Sequence, residues 1–310
     1  MSSPLLFCRT LQSLLRDRHI KYALTSGMAC VEYGLPQNTK DSDWIISPAG
    51  IAALVELLCD QERSLTGRHW RVSYRGLFGA PLDPEYLQGG WTSHVAVVEH
   101  PDSSERHVDV FGRPPRIAEE ALAHLSSGTA SRSMVARMKK TDRPKDWPIV
   151  NGLALQDYYA GLPEAVLHLR EPDILRLAWG RVPNAARDDI VAERPLLAHL
   201  ESLDPSRLDR MLLIERTLWE CINRERLSGL PTGMEGFLPA LAAGLKRGRS
   251  SFRPRGIGQP AQEVKRREFD DAVGARPRGL PPAPRPTQLV AVCRGGVADA
   301  GDAAVFAADH

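Results

Sequence analysis

Apolar residues near the start of the chain recur at helical spacing. Leu5, Leu11, Leu14 and Leu15 share one face of residues 5–18, with Arg9, Arg16 and Arg18 interleaved. The rhythm then changes. Tyr22-Ala-Leu-Thr-Ser26 is a short run bounded by Gly27, which predicts a buried strand. Residues 28–34 predict a short helix closed by Gly34. Asp43-Trp-Ile-Ile-Ser47 predicts the next strand, ended by Pro48, and Ile51 to Leu58 opens a helix rich in Ala and Leu. Trp70-Arg-Val-Ser-Tyr74, His94-Val-Ala-Val-Val98 and His107-Val-Asp-Val-Phe111 read as three further strands. Gly and Pro punctuate a long loop over 76–90, and 116–126 returns to helix. This succession predicts an α+β (α/β-like) domain, a mixed sheet with flanking helices.

From about residue 130 the strand pattern stops. Segments 131–140, 149–160, 163–170, 187–201, 206–227 and 235–246 all carry helical periodicity. Asp204-Pro-Ser206 is a start signal for the long helix bearing Leu208, Met211, Leu212, Leu218 and Ile222. Trp179, Trp219 and Phe237 fall in helical patterns as core residues. The composition shifts again after Lys246. Arg247 to Arg255 is basic, Pro277 to Pro286 is proline-rich, and the stretch from Val290 is Ala, Gly and Asp without periodicity. The expected organisation is a sheet domain over 1–130, an all-helical domain over 131–247 and a disordered tail over 248–310. Arg247–Arg255, with Phe252 available to stack, offers a nucleic-acid contact; a solvated tail is the plainer reading.

Composition narrows this picture only a little. With 310 residues, 43% of them hydrophobic, the chain can pack about two domains. A net charge of +2 points neither toward nor away from nucleic acid, so local clusters must decide. The five cysteines are scattered, odd in number and without a CxxC pair, which suits a reducing compartment and a packing role. Arginines interrupt the N-terminal apolar residues, and no apolar run approaches bilayer length. The expectation is a soluble, cytoplasmic protein without a membrane partner.

Carboxylates carry the candidate chemistry. Asp41 and Asp43 stand two apart at the mouth of a strand, so both side chains point the same way. Two close carboxylates repel unless a cation lies between them, and Mg2+ prefers hard oxygen ligands. In His107-Val-Asp-Val-Phe111, Val108 and Val110 claim the core face and leave Asp109 on the other. A carboxylate in an apolar strand needs a counter-charge, and a shared metal supplies one. Ser26-Gly27, between a strand and a helix, allows close backbone approach to phosphate. These parts together suit an NTP with one or two Mg2+ ions. His107 shares the face of Asp109, as a supporting group, a substrate contact or a packing residue. His69, His94 and His100 lack metal-ligand spacing, and Ser26 lacks a nucleophile-elbow pattern. The plain alternative is that Asp41 caps a turn and Asp109 pairs with an arginine.

The order of small residue and Gly27, then Gly34, then Thr39-x-Asp41-x-Asp43 and apolar residues resembles the nucleotidyltransferase superfamily. It is most similar to the minimal members and to the toxin-type members related to abortive-infection proteins. The resemblance spans residues 20 to 150. It implies that Ser26 and Gly27 form the phosphate loop, with Thr39 beside them, that Asp41 and Asp43 are the metal pair, and that Asp109 is the third carboxylate. The basic stretch Lys139-Lys-Thr-Asp-Arg-Pro-Lys-Asp146 matches a conserved-looking family element ending Arg-x-Lys-Asp, which implies nucleotide contacts from Lys139, Arg143 and Lys145. A solvated helix end and a Lys145–Asp146 ion pair are the plain alternatives there. Two departures stand out: Ser26-Gly27-Met28 replaces a glycine pair or a Gly-Ser order, and Gln37 stands where relatives carry arginine.

Three functional readings follow. The first is a Mg2+-dependent enzyme that moves a nucleoside monophosphate from an NTP to a hydroxyl on an RNA end, a protein or a small molecule. The second is a non-catalytic module of the same fold, acting through partner or nucleic-acid contacts. The third, compatible with the first chemistry, is the toxin of a toxin–antitoxin pair, with an antitoxin protein as partner.

Overall fold

The protein was analysed as a computed structural model, which describes residues 3–36, 39, 41–64, 69–75, 79–101, 103–114, 116–117, 122, 127–228 and 256–273. Gln37, most of the helix expected at 116–126, the helix expected at 235–246, the basic run 247–255 and the proline-rich run lie outside the described residues. Two compact units divide between Ala130 and Ser131, and residues 256–273 return to the first.

The first unit opens with α1 (Pro4–Asp17). Ser3 caps it, its Oγ accepting from the Leu6 N–H at 3.1 Å, with Pro4 in the first turn. Its face of Phe7, Cys8, Leu11 and Leu15 is buried. Then come β1 (Tyr22–Thr25), α2 (Ser26–Glu32), β2 (Asp41–Ile46), α3 (Ile51–Arg63), β3 (His69–Tyr74), α4 (Pro84–Gln88), β4 (Thr92–His100), β5 (Ser104–Phe111) and β6 (Gly128–Thr129). The six strands form one mixed sheet in the order β3-β4-β5-β2-β1-β6. β2 runs parallel to β5 and β1 parallel to β6; the other neighbours are antiparallel.

Alternation sorts this sheet into two faces. Leu24, Trp44, Ile46, Val72, Val95, Val97, Val108 and Val110 pack against α1 and against Ile51, Leu54, Leu57 and Leu58 of α3. That greasy face, with residues almost wholly removed from water, anchors the sheet through the hydrophobic effect. The opposite face carries Asp41, Asp43 and Asp109.

The stretch 248–310, expected to be a disordered tail, is described over 256–273, and there it is largely helical. Ile257 is buried in the sheet core, and the helix Gln259–Val273 follows. Phe269 of this helix meets Tyr86 and Trp91 edge-on, at centroid distances of 5.5 and 5.0 Å. Tyr86 donates its hydroxyl to Asp270 at 2.6 Å, and Arg266 pairs with Asp83. Enough apolar surface is covered here to order a segment whose flanking composition is basic and proline-rich.

The second unit is helical over its described residues: α5 (Arg132–Lys139), α6 (Trp147–Tyr159), α7 (Pro172–Gly180), α8 (Asn184–Glu193) and α9 (Pro205–Ser228). The later helix Gln259–Val273 is α10. The helix expected at 163–170 is a short 3-10 turn, Pro163–Leu167. The one expected at 187–201 breaks before Pro195 into α8 and the 3-10 turn Pro195–His199, because proline cannot donate to a continuing helix. Trp179, Leu196, Leu208, Met211 and Leu218 are among the core residues. Glu215 is buried in that core and held by Arg194 through two bonds of 2.8 Å, with Arg170 at 3.3 Å. Burial pushes its carboxyl up, but the two guanidinium groups outweigh burial and bring it down to about 2.

Cys8, Cys30 and Cys59 are buried and Cys221 is half-buried, and none of the four is in a disulfide among the described residues. No helix among the described residues is long and apolar enough to cross a membrane.

Candidate functional site

Register brings the carboxylates together. β2 lies beside β5 with Asp43 opposite Asp109 and Asp41 opposite His107. β4 on the other side of β5 sets His94 opposite Asp109. Paired residues share a face, so His94, Asp109 and Asp43 form one row across three strands, and His107 and Asp41 form the next. Thr25, the last residue of β1, pairs with Asp43. The β1–α2 turn therefore lies at the edge of the same row.

That turn is shaped by Ser26 and Gly27. Ser26 takes a left-handed φ of 54°. A Cβ on Gly27 would stand 3.0 Å from Thr39 Cγ2. Thr39 itself is folded onto the backbone of Asp41: its hydroxyl donates to the Asp41 carbonyl at 3.0 Å and accepts from the Asp41 N–H at 3.1 Å. Ser26, Gly27 and Thr39 thus meet at the mouth of β2, directly beside the carboxylates.

A cation that the sequence reading did not single out sits among them. Arg75 follows β3, and its backbone N–H is fixed by the His94 carbonyl at 2.8 Å. One guanidinium nitrogen lies 3.2 Å from Asp41 Oδ1; the other lies 3.1 and 3.4 Å from the two Asp109 oxygens. The alternative in which Asp109 pairs with an arginine is what is observed. Two histidines complete the ring of contacts. His94 Nδ1 is 2.7 Å from Asp109 Oδ1, and His107 Nδ1 is 2.6 Å from Asp41 Oδ1, with its Nε2 3.1 Å from Glu105. His107 is therefore a direct partner of Asp41 rather than of Asp109.

The three carboxylates have the donor chemistry that magnesium prefers, and they stand on adjacent register positions. Among the described residues, however, no group of three or more His, Cys, Asp and Glu side chains is gathered as an ion-binding set. Arg75 already neutralises two of the three acids. By chemistry the carboxylates suit a hard cation, but with the guanidinium between Asp41 and Asp109 they are not gathered around one.

The basic stretch belongs to the second unit, and its lysines Lys139 and Lys140 are buried. Lys139 reaches the buried Asp146 at 3.5 Å, Arg143 reaches it at 2.8 Å, and Thr141 donates to it at 2.6 Å. Asp146 is almost wholly buried and needs these partners. Of the expected nucleotide contacts, Lys139 and Arg143 thus serve an internal carboxylate, and the partners recorded for Asp146 are these rather than Lys145, which is exposed. Lys140 is also buried. Its ammonium donates to the Leu167 carbonyl at 2.9 Å and lies over the Trp219 ring. Burial lowers it to about 7, against the pull of Glu215.

Comparison with known proteins adds no family to this geometry: no family model matches the chain, and no curated protein matches it. Of the site's members, Asp41, Asp43 and Asp109 were legible from alternation. Arg75 was not, because it follows β3, which is separated from β5 by β4 in the sheet.

Proposed function

We propose that this protein is a Mg2+-dependent nucleotidyltransferase, moving a nucleoside monophosphate from an NTP to a hydroxyl acceptor. One observation carries the reading: Asp43 stands opposite Asp109 and two residues from Asp41 on one face of adjacent strands, with Ser26-Gly27 at the end of the same row. In this reading Asp41, Asp43 and Asp109 hold the metal. Bound there, Mg2+ would neutralise triphosphate charge and make the attacking hydroxyl easier to deprotonate. Gly27, lacking a side chain, lets phosphate approach the backbone at the β1–α2 turn. His94 holds Asp109 through their 2.7 Å contact, and in this reading Asp109 also helps to take the acceptor hydroxyl's proton. The acceptor is an RNA end, a protein hydroxyl or a small molecule, and a toxin role is compatible with each.

The rival reading, a non-catalytic module of similar architecture, draws support from Arg75 between the acids and from Lys139 and Arg143 turned onto Asp146. Thermal stabilisation separates the two. A ligand that binds only the native state raises its melting temperature. A shift with at least one NTP that requires Mg2+ and is lost in Asp43→Ala is the expected result. The absence of any shift with all four NTPs, with and without candidate acceptors, would favour the module.

A further inference from the structure

We infer that Arg75 is the resident counter-cation of the carboxylate face, holding Asp41 and Asp109 until a divalent cation displaces it. The inference rests on the reading of these acids as a metal site and adds the means by which the site is kept closed without metal.

Three observations carry it. First, Arg75 spans two carboxylates on two strands, one guanidinium nitrogen to each, rather than pairing with one. Asp109 has only 12% of its side chain exposed, so protein groups rather than water must satisfy it. Without Arg75, Asp41 and Asp109 would stand on neighbouring strands as like charges with their histidine contacts alone.

Second, the guanidinium is accessible. Arg75 is 32% exposed and Asp41 47% exposed. Water therefore compensates much of what is lost when the contact opens, as for other partly exposed ion pairs. Its backbone stays tied to His94 while the side chain swings.

Third, the closed arrangement contains a conflict. His107 Nδ1 lies 2.6 Å from Asp41 Oδ1 and 2.8 Å from the same Arg75 nitrogen that contacts Asp41. A ring nitrogen carries either a hydrogen or a lone pair. If it donates to Asp41, it meets Arg75 donor to donor; if it accepts from Arg75, it meets Asp41 acceptor to acceptor. One of three mutual contacts is always unfavourable. Release of Arg75 removes that conflict and leaves His107 on Asp41 and His94 on Asp109.

A guanidinium that must leave before metal enters weakens apparent metal affinity by the fraction of time the site is open. Mn2+ binding to the full chain, read by the electron paramagnetic resonance signal of free Mn2+, tests this. Arg75→Gln is expected to bind Mn2+ about tenfold more tightly than wild type, if the closed form dominates by about that ratio. Arg71→Gln, which removes an exposed positive charge of β3 that makes no recorded contact with these acids, is expected to change affinity less than about twofold, as befits a screened surface charge. Arg75→Lys keeps the charge but loses the two-pronged geometry, and should fall between wild type and Arg75→Gln. The wild-type chain supplies a readout without substitution: Mg2+ should accelerate phenylglyoxal modification at Arg75, measured by peptide mass. Equal or weaker Mn2+ binding in Arg75→Gln, with wild type binding normally, would overturn the inference while leaving the metal reading intact. Absence of Mn2+ binding in wild type and every variant would overturn both.

Discussion

Gly27 and Thr39 touch where the β1–α2 turn meets β2, and the contact has little room to give. Thr39 is held by two hydrogen bonds to the Asp41 backbone, so it cannot retreat from an added methyl without disturbing a site residue. Gly27→Ala should therefore destabilise by about 1–3 kcal/mol, the usual range for overpacking. The gain in helix propensity at the start of α2 offsets only part of that. Removing the methyl at 3.0 Å with Thr39→Ser should recover part of the loss. Urea unfolding of both single variants and the double variant checks the coupling, and strict additivity would sink it. At this scale the sequence exposed the acids but not their partners. Asp41, Asp43 and Asp109 could be placed on one face because alternation is local. The contact of Arg75 with Asp109 depends on where β3 and β4 pair, which no window of sequence contains.

Elements in the second unit depend on one buried charge. Glu215 of α9 ties Arg194, beside the 3-10 turn Pro195–His199, to Arg170, which precedes α7. Because its folded value of about 2 lies below its ordinary 4.5, its contribution to stability is complete above 4.5 and is lost as pH falls toward 2. Glu215→Gln should remove that part of the acid limb. At neutral pH it should also cost about 3–5 kcal/mol by leaving two guanidinium groups buried without their counter-charge. A pH series of denaturant melts reads both effects; an unchanged acid limb would refute the assignment. Element existence was mostly legible here, and boundaries less so. The span 206–227 anticipated α9, Pro205–Ser228, because its apolar spacing is long and regular. α7 was given no span, although Trp179 was placed in a helical pattern: Pro172 and Asp173 follow a glutamate in a polar context, and the helix is only nine residues long.

For the whole molecule, the notable fact is that the sheet unit is built from two separated stretches of chain, 3–130 and 256–273. α10 was hidden from pattern reading because its inward positions are Ala261, Lys265 and Phe269, spaced four apart with a lysine in the middle. Lys265 is buried all the same, and burial lowers it to about 8, against the pull of Glu268. Phe269 is the main apolar anchor, and Phe269→Ala should cost the first unit about 3–5 kcal/mol. Expected signs are a lower melting transition and faster protease cleavage within 256–273; a protein as resistant as wild type would show that the helix contributes little. The divided construction also sets an order of events during synthesis. The strands bearing the carboxylates leave the ribosome more than a hundred residues before the helix that covers Ala80, Tyr86 and Trp91. A nascent chain that stalls before residue 256 presents the acids with that flank bare, so the finished form of the unit is available only to a chain translated through its closing helix.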